Sequence, residues 1–458
     1  MWDYKFSEKD TRARYLYIAD RLEEDIVSGE LPPGYRLMTH RKLADKAGVT
    51  VATVAKAYGE AERRGLISKH VGRGTFVLEH GLPTSEAKKN QEDAVIELGA
   101  GMPLYGTNPS VKPILQRLLQ EGDVDELINY FTPMGLYRHR QTGAEWLRQS
   151  GIEATAESVV AANGQQHALS SVVSGLLKYG DRVAVAQFAN PGFQMLMQRN
   201  GVELEGVKVD DDGMLPDHLD KICQSRELSG LFIAENTQNP SAKSTSAKRR
   251  AELCEVITRH SLPVFEDGSF YWLNGGKPQA FSCLLPDLAV YYVGLGPSLY
   301  SGLRVAFIHA PERFHTRISQ AIVENTWTIS PLSVAIACEA ITDGTLSKAL
   351  KSKTKEMARR LKVVQNALAE FSITCSAESN YAWLFLPDSW QSKEFERQAE
   401  KNGVRVFSAD RFVVGPFTPP NCVRLSLTGP KDIPTLKRGL DVLSGLLKKE
   451  GDLITPIW

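Results

Sequence analysis

The sequence lacks the features that mark several large classes of protein. Its 458 residues contain only six cysteines, none in a Cys-x-x-Cys pair, and its nine histidines form no cluster with metal-ligand spacing. We therefore expect no disulfide framework and no zinc site, only reduced and mostly buried thiols. No apolar run is long enough to span a bilayer, and the opening MWDYKFSEKD lacks the basic and apolar regions of a signal peptide. These absences predict a cytoplasmic protein with no membrane partner.

The chain also lacks net charge, because 54 Lys and Arg residues balance 54 Asp and Glu residues. The local distribution is uneven. Residues 1–32 carry five basic and eight acidic side chains, a net charge of −3, whereas residues 33–75 carry nine basic and three acidic side chains, a net charge of +6. A basic segment of this kind suits a nucleic-acid partner, although charge alone is equally typical of a solvated helical face.

The same N-terminal segment has the pattern of a winged helix-turn-helix. A helical stripe of apolar residues predicts one helix over residues 12–28, and two shorter helices follow over about 39–46 and 50–65. The segment 66–77 alternates around a Gly-Arg-Gly tip, which predicts a two-stranded wing. Residues 1–78 are therefore predicted to form a DNA-binding domain.

The string LPPGYRLMTHRKLADKAGVTVATVAKAYGEAERRGLISKHVGRGTFV resembles the winged helix of the GntR superfamily over its whole length. The resemblance implies a double-stranded operator DNA as partner. Family members often carry arginine where this chain has Val51 and Ala55, so apolar contacts and threonine hydroxyls are expected to read the bases. The residues that the resemblance places on DNA are Arg41, Thr50, Val51, Thr53, Lys56, Lys69 and Arg73.

A second and larger domain follows a polar segment without apolar periodicity, residues 79–93, which we interpret as a linker. Over residues 94–330, strand-like apolar runs alternate with helical segments. This alternation predicts an α/β domain around a mostly parallel sheet, with ligands at the carboxyl ends of the strands. Residues 331–458 are predicted to form a smaller α+β domain.

The stretch Tyr291–His309, YYVGLGPSLYSGLRVAFIH, carries the most informative motif of this domain. Its outline resembles the fold type I aminotransferases, in which Ser-x-Ser-Lys precedes Gly-Leu-Arg and the lysine holds pyridoxal phosphate as a Schiff base. Counting back from Gly302-Leu303-Arg304 places that lysine on Pro297, which has no amine, with Ser298 next to it. Together with the winged helix, the pattern resembles the MocR-like regulators. Because Pro297 has no amine, we expect no covalently bound pyridoxal phosphate.

Other motifs of the aminotransferase pattern are retained. Each could instead be a turn, a helix cap or an ordinary ion pair. By resemblance, the turn Asn163-Gly164-Gln165 and Arg304 would bind the cofactor phosphate, Asn239 its phenolic oxygen, Asp267 its pyridine nitrogen, and Arg424 a substrate carboxylate. Their order along the chain favours a retained pocket.

Several cofactor contacts are altered as well. The segment Gly294-Leu295-Gly296 replaces two serines that would bond near the phosphate and the lysine. Phe270 falls where a tyrosine hydroxyl would touch the cofactor. Asn190 falls where relatives place a tyrosine over the ring, a place that Phe188 or Phe193 takes if the register is shifted.

Three functional hypotheses follow. The leading one is a homodimeric transcriptional regulator whose aminotransferase-like domain senses an amino-acid-like or cofactor-like effector, including non-covalent pyridoxal phosphate, without turnover, because transamination needs the missing lysine. The alternative is a pyridoxal-phosphate enzyme with a fused DNA-binding domain that uses Lys243 or another amine. The third is a dimerisation scaffold that binds no ligand.

Overall fold

A computed structural model describes most of the chain in two compact units, Met1–Glu92 and Asp93–Trp458. The described residues are 13–27, 30–31, 35–63, 66–70, 74–77, 95–121, 124–129, 133–234, 240, 242, 244–274, 279–377 and 379–448. The predicted linker 79–93 lies outside them. Among these residues, no helix combines the length and apolar character needed to cross a membrane.

The first unit contains the predicted helices and hairpin. Its elements are α1 (Arg14–Val27), α2 (His40–Ala47), α3 (Val51–Arg63), β1 (Ile67–His70) and β2 (Gly74–Val77). Strands β1 and β2 pair antiparallel, and an isolated bridge from Arg36 to Phe76 extends this small sheet. The buried side chains of the helices and hairpin form one core, which includes Ile18, Val54 and Tyr58. The helix-turn-helix and wing predicted from the apolar pattern are confirmed.

The second unit is built on a seven-stranded sheet with the order β4-β12-β11-β10-β9-β5-β6. Its strands are β4 (Val159–Ala162), β5 (Arg182–Ala186), β6 (Glu203–Val207), β9 (Gly230–Ile233), β10 (Val264–Asp267), β11 (Ala289–Gly294) and β12 (Ala306–His309). Strand β12 runs antiparallel to both of its neighbours, and the pairs among β5, β6, β9, β10 and β11 are parallel. The mostly parallel sheet is confirmed.

Helices cover both faces of this sheet, which explains why its strands read as continuous apolar runs. The helices of this part are α4 (Lys112–Glu121), α5 (Val124–Leu127), α6 (Tyr137–Arg148), α7 (Gly164–Leu176), α8 (Pro191–Arg199), α9 (Pro216–Ser225), α10 (Ala247–Arg259), α11 (Phe281–Leu284), α12 (Glu312–Thr326) and α13 (Pro331–Thr342). Helices α4 and α5 pack against α13. Alternate strand residues point to opposite faces. Val290 and Tyr292 join a core with α7, α8 and α12, whereas Tyr291 and Val293 join one with α6 and α13.

The C-terminal part carries a four-stranded sheet with the order β13-β14-β17-β16. Its elements are α14 (Thr345–Ala367), β13 (Ile373–Cys375), β14 (Tyr381–Phe385), α15 (Ser392–Lys401), β15 (Val404–Arg405), β16 (Phe407–Ser408), β17 (Cys422–Ser426) and α16 (Ile433–Lys448). Strands β14 and β17 pair antiparallel. The short strands β3 (Ile96–Glu97), β7 (Val209–Asp210) and β8 (Gly213–Met214) complete the set.

Three features differ from the expectation or add to it. Strand β3 pairs with β15, and Leu98 packs in the core of the C-terminal sheet, so the first residues of the predicted large domain lie with the small one. The edge strand β6 was not predicted, because its glutamates at 203 and 205 interrupt the apolar run. All six cysteines are unpaired, as expected, although only Cys338 and Cys422 are fully buried.

Candidate functional site

The predicted DNA-reading element is positioned by the turn between α2 and α3. The Thr39 hydroxyl caps α2 by accepting from the amide of Lys42. Gly48 ends α2 in the left-handed region, with φ of 64°, where a residue with a side chain is strained. This geometry fixes the angle at which α3 follows α2.

The first turn of α3 presents a mostly apolar surface to solvent. The Thr50 hydroxyl accepts from the amide of Thr53 at 3.2 Å, and the two hydroxyls are 2.9 Å apart. Thr50 is therefore the N-cap of α3, and its hydroxyl is already engaged in the protein. Val51 is 50% exposed, and Lys56 is also exposed one turn further on.

The remaining predicted DNA contacts are only partly described. Arg41 is exposed near the start of α2. Lys69 lies in strand β1 by its backbone. Arg73 lies outside the described residues. The structure thus places Arg41, Val51 and Lys56 on the surface of the helix-turn-helix, where a DNA partner can reach them.

The second unit contains a cavity of about 230 Å³ at the carboxyl ends of strands β5, β9 and β10 and beside the start of α7. This is the place where ligands bind in sheets of this kind. Its lining residues are Gln165, Gln166, Leu169, Val185, Ala186, Phe188, Ala189, Asn190, Phe193, Phe232, Ala234, Asp267, Ser269, Phe270 and Tyr381. Four of the predicted pocket residues are therefore brought together: Gln165, Asn190, Asp267 and Phe270.

Asp267 is the central polar group of this cavity. Its Oδ1 accepts from the backbone amide of Ser269 at 2.8 Å and from the Gln165 side chain at 2.6 Å. Burial raises the pKa of the Asp267 carboxyl above its usual value, and these hydrogen bonds oppose the rise. The carboxylate can accept a further donor or a cation from a ligand.

The Gln165 side chain is held against Asp267 because Gly294 leaves it room. A Cβ atom at Gly294 would lie 2.8 Å from Gln165 Oε1 and 3.1 Å from Gln165 Cβ. The amide oxygen is buried and has no hydrogen-bond partner among the described residues. From the sequence alone, Gly294 was interpreted only as the loss of a serine hydroxyl. The structure shows that it admits Gln165.

Five aromatic side chains contribute to the cavity wall. Phe193 and Phe232 stack with their ring centres 3.9 Å apart, and Phe188 meets Trp383 edge to face at 5.3 Å. The Asn190 side chain accepts from the amide of Gly192 at 2.7 Å and caps α8. Both Phe188 and Phe193, the alternatives to Asn190 for a ring contact, line the cavity with it.

Phe270 lines the cavity in a strained conformation. Its φ is 64°, a value that bulky residues rarely adopt. Such strain persists only where surrounding contacts enforce it, and it often marks a binding site. Phe270 offers a ring but no hydroxyl to a ligand.

Pro297 and Ser298 lie in the turn after β11, outside the cavity lining. Ser298 is buried, and its amide donates to the carbonyl of Leu295 at 2.9 Å. Pro297 is half-buried. In the part of the chain that the structure describes, no lysine lines the cavity.

Arg304 lies against the start of α7. A Cβ atom at Gly164 would be 3.1 Å from the Arg304 guanidinium carbon, so the guanidinium packs over this glycine. The backbone amide of Asn163 donates to His167 Nδ1 at 3.0 Å. Arg304 is exposed and has a left-handed φ of 54°. A cationic group beside a helix N-terminus suits an anion.

Arg424 is not among the residues that line the cavity. Its guanidinium is 4.3 Å from the ring centre of Tyr381 and 4.6 Å from that of Phe412, and Nη2 donates to the carbonyl of Gly99 at 2.5 Å. Burial lowers the pKa of this guanidinium. Tyr381, which contacts this guanidinium, lines the cavity.

Two sequence candidates, Asn239 and Lys243, lie outside the described residues. Conversely, Tyr381, Phe232 and Ser269 line the cavity but were not predicted. Ser269 had a signal, since it lies two residues after Asp267 at a strand end. Tyr381 had none, because it comes from the C-terminal sheet.

Two sequence families match the chain. Residues 14–77 match the family described as bacterial regulatory proteins, gntR family, and residues 93–442 match aminotransferase class I and II. The predicted order of a DNA-binding domain and an aminotransferase-like domain is thus confirmed.

Relatives in bacteria match this chain over most of their length. The uncharacterized HTH-type transcriptional regulator YdeF of Bacillus subtilis is 29% identical over 441 residues, which cover 96% of each chain. The probable rhizopine catabolism regulatory protein MocR of Rhizobium meliloti is 25% identical, with 76% of each chain covered. These matches confirm the resemblance to the MocR-like regulators.

Solved structures show the fold of the second unit. An archaeal alanine:glyoxylate aminotransferase superposes with a TM-score of 0.72 at 22% identity, over 81% of this chain and 96% of that one. LysN, the alpha-aminoadipate aminotransferase of Thermus thermophilus complexed with N-(5'-phosphopyridoxyl)-L-leucine, gives 0.71 at 20% identity, over 85% and 98%. The predicted fold type I architecture is confirmed.

Proposed function

The chain belongs to the aminotransferase class I and II family and is a transcriptional regulator with a gntR-type helix-turn-helix, and from this premise we propose that its aminotransferase-like domain dimerises and senses a small molecule without transaminase turnover. The observation that carries the proposal is the cavity around Asp267. It keeps a ligand-binding carboxylate and an aromatic wall, whereas the described lining contains no amine that could form a Schiff base.

Pyridoxal phosphate fits this domain when it is held without a covalent bond. Asp267 would hold its pyridine nitrogen, and Arg304 with the Gly164 turn would hold its phosphate. When bound, the group supplies an electron-withdrawing ring. Pro297 at the lysine position leaves the aldehyde without its usual partner, and Phe270 offers no hydroxyl. We therefore propose that this cofactor, an adduct of it or a related molecule acts as an effector.

The effector would act by favouring one arrangement of two DNA-binding domains. Such coupling requires that the effector bind the two arrangements with different affinities. A homodimer with two winged helices predicts an operator with two half-sites. The protein would then act on DNA in the cytoplasm.

Borohydride reduction with mass spectrometry, and DNA footprinting, test the proposal. We expect purified protein mixed with pyridoxal phosphate to show no borohydride-fixed adduct by mass spectrometry, and we expect a footprint of two half-sites whose protection changes with effector. Thermal-shift screening against amino acids, cofactor vitamers and their adducts identifies the effector, because a ligand specific to the folded state raises stability.

The competing functions give different results. A yellow protein whose colour shifts with amino acids, and whose cofactor borohydride fixes to Lys243 or another amine, would show a working enzyme. Binding to DNA unaffected by every candidate, with no thermal shift, would show a scaffold. A footprint limited to one half-site at saturating protein would contradict the dimeric reader.

A further inference from the structure

The Gln165 amide occupies one oxygen, Oδ1, of the carboxylate that a ligand of the cavity would use. Its Nε2 donates to Asp267 Oδ1 at 2.6 Å, a short hydrogen bond. An ionised carboxylate only accepts, so the nitrogen of the amide must face it. The amide oxygen is left buried without a hydrogen-bond partner in the described part of the chain. The amide therefore provides a hydrogen bond to Asp267 while its own buried oxygen lacks one, which costs free energy.

This arrangement depends on a glycine at the end of β11. A side chain at Gly294 would overlap Gln165, since its Cβ would lie 2.8 Å from Oε1. Gly294 pairs with Ala306 in the sheet and is not among the glycines with a left-handed φ. The backbone does not require glycine there, so its role is to leave space for Gln165.

The rest of the cavity selects a small, flat ligand. Five aromatic side chains, at 188, 193, 232, 270 and 381, form much of its wall. Asp267 is the one acidic or basic side chain among the lining residues that the structure describes. The volume of about 230 Å³ is below the range of roughly 300–1,000 Å³ that is usual for drug-sized ligands. A single ring carrying one donor or positive charge matches this wall and this acceptor.

We propose that Gln165 is a built-in competitor of the effector: a small heteroaromatic molecule with a ring N–H or a protonated ring nitrogen replaces the Gln165 amide on Asp267, and Gly294 maintains the competition. This rests on the proposed function, since it takes the cavity to be the effector site. Gln165 then sets the concentration at which the effector binds. When the effector displaces the Gln165 amide, the amide leaves a site in which its oxygen has no hydrogen-bond partner among the described residues.

The test uses the full chain and two probes that differ only in a ring nitrogen, 3-hydroxypyridine and phenol. Affinities are measured by ligand-detected NMR titration. We expect wild type to prefer 3-hydroxypyridine. Gln165→Leu, which keeps the size but removes the donor, should bind 3-hydroxypyridine about tenfold more tightly, as expected for loss of one competing hydrogen bond to a charge, and phenol about equally.

Further variants test whether the effect of Gln165→Leu comes only from a change in the shape of the cavity. Gly294→Ala should displace the Gln165 amide and also tighten 3-hydroxypyridine binding, although it changes no group that touches Asp267. Asp267→Asn should abolish the preference for the ring nitrogen. Gln224→Leu is the matched control, because Gln224 donates to Asp220 at 2.6 Å on the exposed surface of α9, outside the cavity lining, and it should leave both affinities unchanged. The ratio of the two affinities does not depend on the folded fraction.

Three outcomes would overturn the inference. They are weaker binding of 3-hydroxypyridine to Gln165→Leu, an equal gain for phenol, and no binding of either probe to any of these proteins. None of them touches the proposed function, which fails separately if no metabolite alters DNA binding or if the footprint covers a single half-site.

Discussion

The guanidinium carbon of Arg424 lies 4.3 Å from the ring centre of Tyr381, and the same tyrosine lines the cavity that contains Asp267. Two more rings, Phe407 and Phe412, lie 5.5 and 4.6 Å from that carbon. The arginine is thus part of an aromatic cluster behind the cavity wall. We therefore expect this arginine to help fix the position of Tyr381.

Replacing Arg424 tests that role. We expect Arg424→Met to keep a melting temperature near that of wild type, because a flexible apolar side chain fills the same aromatic cluster. Arg424→Ala should lose about 3 kcal/mol, because it leaves a cavity. Affinity for single-ring ligands should be unchanged in Arg424→Met. A selective loss of carboxylate-bearing ligands in that variant would instead restore the carboxylate-binding role that the sequence suggested.

The cap of the recognition helix gives a second prediction. Thr50→Ala removes the hydroxyl that accepts from the Thr53 amide and should destabilise the start of α3 by about 1 kcal/mol. Thr50→Ser keeps this hydrogen bond and is the control. Hydrogen exchange of the first-turn amides measures the difference. Equal protection in the alanine and serine variants would show that the cap contributes nothing.

A third prediction separates charge from base reading on α3. Lys56 is exposed on this helix, so Lys56→Ala should weaken binding to all DNA sequences and lower the salt slope of the affinity by about 1. Val51→Ala should instead change base preference and leave the slope unchanged, because an apolar side chain releases no counterion. The operator for both measurements comes from selection out of a random DNA pool. A change of slope in the valine variant would contradict this division.

The sequence predicted the helix-turn-helix, the α/β sheet and the place of Asp267 because each rests on local periodicity or on the end of a single strand. It could not predict the partner of Asp267. The contact between Gln165 and Gly294 joins residues far apart in the chain, and only the sheet brings β11 beside the start of α7. The same holds for Tyr381, which reaches the cavity from another sheet.

A fourth prediction concerns acid stability. Burial lowers the pKa of His309 to about 4, with a smaller effect of the nearby His315, and lowers that of His139 to about 4, with a smaller effect of Arg138. The folded state therefore holds these imidazoles neutral, whereas the unfolded chain protonates them below about 6.5. Their stability contribution is full above pH 6.5 and is lost as the pH falls towards 4. His309→Asn should make the melting temperature depend less on pH over this window. An unchanged pH dependence would contradict the assignment.

Asp267 gives the opposite pH dependence. Burial raises its pKa, so the folded state favours the protonated carboxyl, and that advantage is lost as the pH rises through the folded pKa. At a pH above that folded pKa, the ionised Asp267 therefore destabilises the fold, and we expect that the cavity retains it for binding. Asp267→Asn should melt at a higher temperature than wild type at neutral pH and at the same temperature in acid, because Gln165 can rotate its amide to accept from the new donor. A lower melting temperature of Asp267→Asn at neutral pH would show that the carboxylate stabilises the empty cavity, and its retention would then need no ligand.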